Sequence, residues 1–165
     1  LFSLLMQAAG HAGRDAKLTQ SNGCEMWVQT FHPTHPLFEA LKAHDYPAFA
    51  DQQLHEREQA CLPPYSFQAL VRAEARSQQA AQDFLNAARD AGGALADVLQ
   101  VDLYPAVPMS IQRVANIERA QMLIECQSRK ALQRFLSDWQ SALHGLRAQH
   151  KQVIRWAIDV DPLAI

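Results

Sequence analysis

The sequence predicts an α+β fold: a two-layer sandwich with two helices on one face of an antiparallel sheet, in split βαβ order. Three observations carry this. From residue 66 onward, period-two stretches alternate with helical-period stretches in the order β-α-β-β-α-β. Ser77 and Ser128 each stand just before a helical stripe, where a hydroxyl caps the first turn. The hydrophobic fraction of 48% and charged fraction of 19% belong to a chain that builds a core rather than to a disordered tail.

Leu1, Leu4, Leu5 and Ala8 fall at helical spacing, and Gly10 and Gly13 are expected to break that helix. Residues 15–24 are polar and turn-like, and Glu25 to Phe31 alternates as a strand. His32-Pro33-Thr34-His35-Pro36 reads as a connector, because each proline removes a donor and biases the preceding residue toward extended backbone. Two short amphipathic helices are expected near 36–43 and 47–60, with Leu62-Pro63-Pro64-Tyr65 ending the second. Beyond it, Phe67, Ala69, Val71 and Ala73 alternate as a strand. Ala81, Phe84, Leu85 and Ala88 share one face of a helix expected to end at Gly92-Gly93. A second strand is expected from Val98 to Tyr104, and a loop through Pro105 and Pro108 leads to a third with Met122, Ile124 and Cys126 on one face. Leu132, Phe135, Leu136, Trp139, Leu143 and Leu146 make the stripe of the longest helix. The last strand places Ile154, Trp156, Ile158 and Val160 inward and Arg155, Asp159 and Asp161 outward.

The 165 residues suffice for one core, or for one domain with the remnant of another. No apolar run approaches the roughly 20 residues that cross a bilayer, so no membrane partner is expected. The net charge of −2 argues against nucleic-acid binding by charge alone. Residues 1–62 hold four Lys/Arg against seven Asp/Glu and residues 63–165 eleven against ten, which makes the second part the anion-binding half. Cys24, Cys61 and Cys126 form no CxxC pair and read as reduced, buried thiols of a cytoplasmic protein. His32, His35, His44 and His55 lack the carboxylate or cysteine that would complete a metal pattern, so no metal site is expected. Asp159 and Asp161 read as the polar outer face of a terminal strand, and Trp139 and Trp156 as core residues.

Gln7-Ala8-Ala9-Gly10-His11-Ala12-Gly13-Arg14 resembles the last helicase motif of superfamily 2, Gln-x-x-Gly-Arg-x-Gly-Arg. By residue type alone the same stretch is equally a helix end with small-residue caps. Val28-Gln29-Thr30-Phe31-His32-Pro33-Thr34-His35-Pro36, Asp45-Tyr46-Pro47-Ala48-Phe49, Leu54-His55-Glu56-Arg57, Leu62-Pro63-Pro64-Tyr65 and Ile158-Asp159-Val160-Asp161-Pro162 follow in order. Together these resemble the landmarks of the primosomal protein N′ (PriA) family, and the resemblance covers essentially the whole chain.

The resemblance implies the C-terminal part of an ATP-driven 3′-to-5′ DNA helicase that recognises abandoned replication forks and starts reloading of the replicative helicase. Residues 1–33 would end the second helicase lobe, 34–65 would be a helical connector, and 66–165 a domain similar to ribosomal protein S10. Leu1, inside an apolar pattern with no Met before it, fits a fragment. Gln7 and Arg14 match the glutamine and final arginine that face ATP, where a guanidinium stabilises charge on the transferred phosphoryl group. His11 stands in place of the first arginine; an imidazole makes no bidentate phosphate contact, so either hydrolysis in the parent suffers or Arg14 does the work. The family's phosphate-binding loop, magnesium-binding acidic motif and zinc-binding cysteines lie outside this sequence. ATP, magnesium and zinc therefore belong to the parent, and this piece alone is expected to be inactive.

Arg129 and Gln133, four residues apart at the start of the Ser128 helix, are neighbours on its shoulder, with Lys130 and Arg134 adding charge. Taken alone they read as a solvated basic helix end. The resemblance implies that they help bind the acidic, Phe-ended tail of single-stranded-DNA-binding protein (SSB). Arg113 and Arg119, in a loop between the second and third strands, are the candidates for weak contact with forked or single-stranded DNA. Other primosomal proteins are the remaining implied partners. The alternative is a freestanding S10-like αβ module that binds a protein tail or nucleic acid without enzymatic activity; a metal-dependent hydrolase using the histidines is a distant third.

Overall fold

Three helices precede the sheet in the computed structural model, which describes residues 2–12 and 25–163: α1 (Phe2–Ala12), α2 (Pro36–Ala43) and α3 (Tyr46–Gln59). The chain divides into two compact units, one ending at Gln59 and one starting at Ala60. In the first, α1 runs through Gly10 instead of breaking there. Its inward residue is Phe2, stacked on Phe49 at 5.0 Å between ring centroids, while Leu4 of the expected stripe is exposed. Phe2, Leu37 and Leu41 are buried, with Leu5, Met6, Met26 and Phe38 packed against them.

The histidine–proline connector has a definite local role. His35 caps α2, its Nδ1 accepting from the Leu37 N–H at 3.1 Å, and Pro36 occupies the first turn, where no N–H partner is needed. Asp45 caps α3 in the same way, its Oδ1 accepting from Ala48 N–H at 3.0 Å. Unlike the expected amphipathic helix, α3 buries none of its residues. Glu25–Phe31 is not the strand its alternation predicts, and Trp27 and Phe31 are 88% and 100% exposed. Alternation becomes a strand only beside another strand, and none lies in this unit among the described residues.

The second unit contains β1 (Phe67–Ala75), α4 (Gln78–Leu99), β2 (Val101–Leu103), β3 (Val107–Val114), β4 (Ile117–Cys126), α5 (Arg129–Gln149) and β5 (Val153–Val160). The strands form one five-stranded sheet in the order β2-β4-β1-β5, with β3 also paired to β4. All pairings are antiparallel. β4 thus sits between the parallel strands β1 and β2, and β1 between the parallel β4 and β5. These are two interlocked split βαβ units in an α+β fold.

The main core lies on one side of the sheet, and Leu70 of β1 is buried on the other. Ala69, Val71, Ala73 and Ala75 of β1 and Ala120, Met122, Ile124 and Cys126 of β4 face the buried stripes of α4 and α5. Alanine at three of the four β1 positions leaves room for Phe84, Phe135 and Trp139, all essentially buried. Both predicted serine caps form: Ser77 Oγ accepts from Ala80 N–H at 3.2 Å and Ser128 Oγ from Ala131 N–H at 3.3 Å.

Four expectations need correction here. First, α4 continues past Gly92-Gly93 to Leu99 and ends at Gln100 in the left-handed region, φ 54°. Gly92 is there for close approach, since a Cβ would lie 2.8 Å from Trp139 Nε1. The longer helix shortens the second strand to Val101–Leu103. Second, residues 107–114, expected as loop, form β3, whose hairpin to β4 turns at Ala115 and Asn116 with φ 49° and 63°. Pro108 is tolerated because β3 pairs on one side only. Third, a bulge at Glu74/Ala75 pairs Ala75 with Val153, so Val153 is buried and Ile154 is 46% exposed. Fourth, Cys126 is buried but Cys61 is exposed; both are free thiols, and Cys24 lies outside the described residues. Among the described residues, no helix is long and apolar enough to cross a membrane.

Candidate carboxylate-binding site

The start of α5 is where charge, geometry and access coincide. Ser128, extended at φ −120°, turns the chain out of β4 into the helix. Arg129 therefore occupies the first helical position, where backbone N–H groups precede any intrahelical acceptor and the helix dipole is positive. Its guanidinium lies over the Phe67 ring, 4.7 Å from the centroid. Arg129 Nη1 donates to Asp161 Oδ2 at 2.8 Å. The Arg129 side chain is nonetheless 56% exposed. Gln133, one turn on, is exposed, as is Lys130, while Arg134 pairs with Asp138 at 3.7 Å.

Local chain geometry puts these groups together. Phe67 opens β1 opposite Cys126 at the end of β4, which brings its ring to the point where α5 begins. Asp161 follows β5 in the left-handed region, φ 53°, with its N–H donating to Gln68 O at 2.9 Å. That turn carries its carboxylate away from the face of Asp159, which pairs with Arg72 at 3.1 Å. The two aspartates, expected to share one strand face, do not. A planar guanidinium, stacked on a ring and open to solvent, is suited to a carboxylate.

The other candidates lie elsewhere. Arg113 is in the β3–β4 hairpin, donating from Nη2 to Asn116 Oδ1 at 2.7 Å, with Nε 3.5 Å from Glu118. Arg119 is on the face of the sheet opposite α4 and α5, 3.8 Å from Glu74, which also accepts from Arg155 at 2.8 Å. Both are already opposite carboxylates. On the same face Tyr104 is held above the usual phenol range, first by lost hydration and then by Glu125 and Asp102. Gln7 is exposed on α1, and His11 is exposed at that helix's last turn. Arg14 lies outside the described residues, so the arrangement of the helicase-like motif is not described. Of the histidines, His35 serves as a cap and His55 contacts Gln59 at 2.9 Å. Among the described residues no three metal-ligating side chains converge.

Phe67 and Asp161 are the site residues that sequence reasoning missed. In the sequence Asp161 is an outward residue of the last strand and part of the Ile158–Pro162 landmark, and Phe67 is the start of an alternating strand. Nothing local to either marks it as a partner of Arg129.

Comparison with known proteins supplies the context. Residues 58–163 match the family model described as primosomal protein N C-terminal domain. The replication restart protein PriA of Haemophilus influenzae is 33% identical over 162 residues, covering 98% of this chain and 21% of that relative. Its counterpart in Synechocystis sp. is 31% identical over 127 residues, covering 75% of this chain and 14% of the relative. That of Rickettsia conorii is 29% identical over 165 residues, covering 98% and 23%. The chain thus spans no more than 23% of the length of these three relatives.

Proposed function

Because the chain belongs to the primosomal protein N C-terminal domain family, we propose that it is the recognition part of an ATP-dependent 3′-to-5′ DNA helicase that restarts stalled replication forks. In this reading residues 1–33 end the second helicase lobe, 34–65 connect, and 66–165 form a domain similar to ribosomal protein S10. Arg129 and Gln133 take the acidic, Phe-ended tail of SSB. The carrying observation is the exposed Arg129 guanidinium, stacked on Phe67 at the open N-terminus of α5.

Gln7 and Arg14 would reach ATP bound largely by other parts of the parent, and Gln7, exposed on α1, is free to do so. Its amide can orient a phosphate or water, and Arg14 would neutralise developing charge. The described residues do not fit a zinc site, since they bring no three ligands together. Zinc in this reading sits on other parts of the parent. Arg113 and Arg119 are proposed as weak DNA contacts only, since each must first leave a carboxylate. In this reading the protein acts in the cytoplasm, with DNA, SSB and other primosomal proteins as partners.

The test is fluorescence polarisation of a labelled SSB tail peptide against the chain and against Arg129→Ala. Saturable binding at micromolar protein, weakened at least about tenfold by the substitution, is expected, because truncation removes a charge-assisted contact of about 1.5–3 kcal/mol. Equal binding by both proteins would remove Arg129 from the site.

A further inference from the structure

We infer that Asp161 is a resident competitor at the Arg129 site: its carboxylate occupies the guanidinium that an incoming acidic peptide must engage. The inference rests on the Arg129 reading above and deepens it by naming what tunes the site's affinity.

Two independent contacts hold Arg129, and they differ in kind. The Phe67 ring lies beneath the guanidinium carbon, 4.7 Å from it to the centroid, and offers it a cation–π contact rather than a hydrogen-bond acceptor. Asp161 uses one of the guanidinium N–H groups, Nη1, at 2.8 Å. Replacing Asp161 leaves the ring contact in place, so Arg129 keeps an anchor at the site. The ion pair is exposed on both sides, 56% and 48%, and surface pairs of this kind are weak and exchange readily with other anions.

Asp161 is nevertheless presented by the backbone and does not simply drift away. Its N–H is tied to Gln68 O at 2.9 Å, and its φ of 53° aims the residue back toward α5. An incoming carboxylate therefore meets a second negative charge at contact distance, whether it displaces Asp161 or shares the fork with it. Lys130 adds a nearby exposed positive charge with no ion pair among the described residues, whereas Arg134 faces Asp138. Like charges about 5–6 Å apart in a mostly aqueous setting weaken binding about fivefold at low salt, and salt screens that penalty.

Asp161→Asn tests this with little risk to the fold, since asparagine tolerates positive φ and keeps the N–H that bonds Gln68. Asp161→Gly, also compatible with that backbone, is the second variant. The chain, both variants, Arg129→Ala and Arg129→Ala/Asp161→Asn are titrated with the labelled acidic Phe-ended peptide at low and high salt. Both Asp161 variants are expected to bind about fivefold tighter at low salt, with the gain fading by about 1 M salt and vanishing when Arg129 is absent.

Unchanged or weaker binding by both Asp161 variants overturns the competitor role. If wild-type binding still depends on Arg129, the proposed function stands without it. No binding by the wild type or by either Asp161 variant overturns both readings. Binding by the Asp161 variants alone, lost with Arg129, supports both and shows the competitor to be strong.

Discussion

Adjacent glycines in the middle of α4 should respond to alanine with opposite signs. At Gly92 a methyl group would stand 2.8 Å from Trp139 Nε1 and 3.2 Å from both Trp139 Cδ1 and Phe135 Cζ. Neither ring can move aside freely: both are buried, and Trp139 Nε1 donates to Ala88 O at 3.0 Å. Overpacking such a contact costs about 1–3 kcal/mol. Straining the indole hydrogen bond adds about 1 kcal/mol, and the better helix propensity of alanine offsets about the same amount. Gly92→Ala should therefore destabilise the second unit by about 2 kcal/mol. At Gly93 no atom lies within 4 Å of an added Cβ, so Gly93→Ala should stabilise by about 0.5–1 kcal/mol. Urea unfolding followed by tryptophan fluorescence reads both. With a slope of about 1–3 kcal/mol/M, the midpoint should fall by about 1 M for Gly92→Ala and rise slightly for Gly93→Ala. Trp139→Phe should partly relieve the Gly92→Ala cost in a double-mutant cycle. Equal effects at the two glycines, or a stabilising Gly92→Ala, would refute the close-approach explanation.

Two further outcomes are expected beside the peptide titrations of Arg129 and Asp161. The raised Tyr104 phenol makes stability fall as pH climbs past 10.0, because the unfolded chain then gives up its proton before the folded one. Absorbance titration near 295 nm should show one late phenol, which Glu125→Gln brings earlier by removing a neighbouring charge. The purified chain should release no phosphate from ATP with or without single-stranded DNA, and turnover abolished by Arg14→Ala would contradict this.

Much of the second unit was legible in advance because its signals are local. Ser77 and Ser128 sit one residue before helices whose apolar residues recur every three to four positions, and both caps form as expected. The stripes of α4 and α5 follow from that spacing, and the inward face of β4 from a period of two. Where local signals have two meanings, the reading failed. Gly92-Gly93 signals a helix end as readily as a helix crossing, and the bulky Trp139 on α5 decides between them. Pro108 signals a loop, yet a strand paired on one side only accepts it. Among the described residues, the alternation of Glu25–Phe31 has no neighbouring strand to make it a ladder.

The candidate site divides along the same line. Arg129 and Gln133 could be picked out from the sequence, since a helix start and a spacing of four residues are properties of a short segment. Asp161 and Phe67 could not. Asp161 lies 32 residues from Arg129 in the chain, just as Ala88 O lies 51 residues from the Trp139 indole it holds. By itself the sequence determined the periodicities, the caps, the charge balance and the family. Only the tertiary structure decided which charges meet, which glycine is crowded and which strand slips by one residue. Spacing along the chain sets the conformation of a segment, whereas its partners are set by packing between segments remote from each other in sequence.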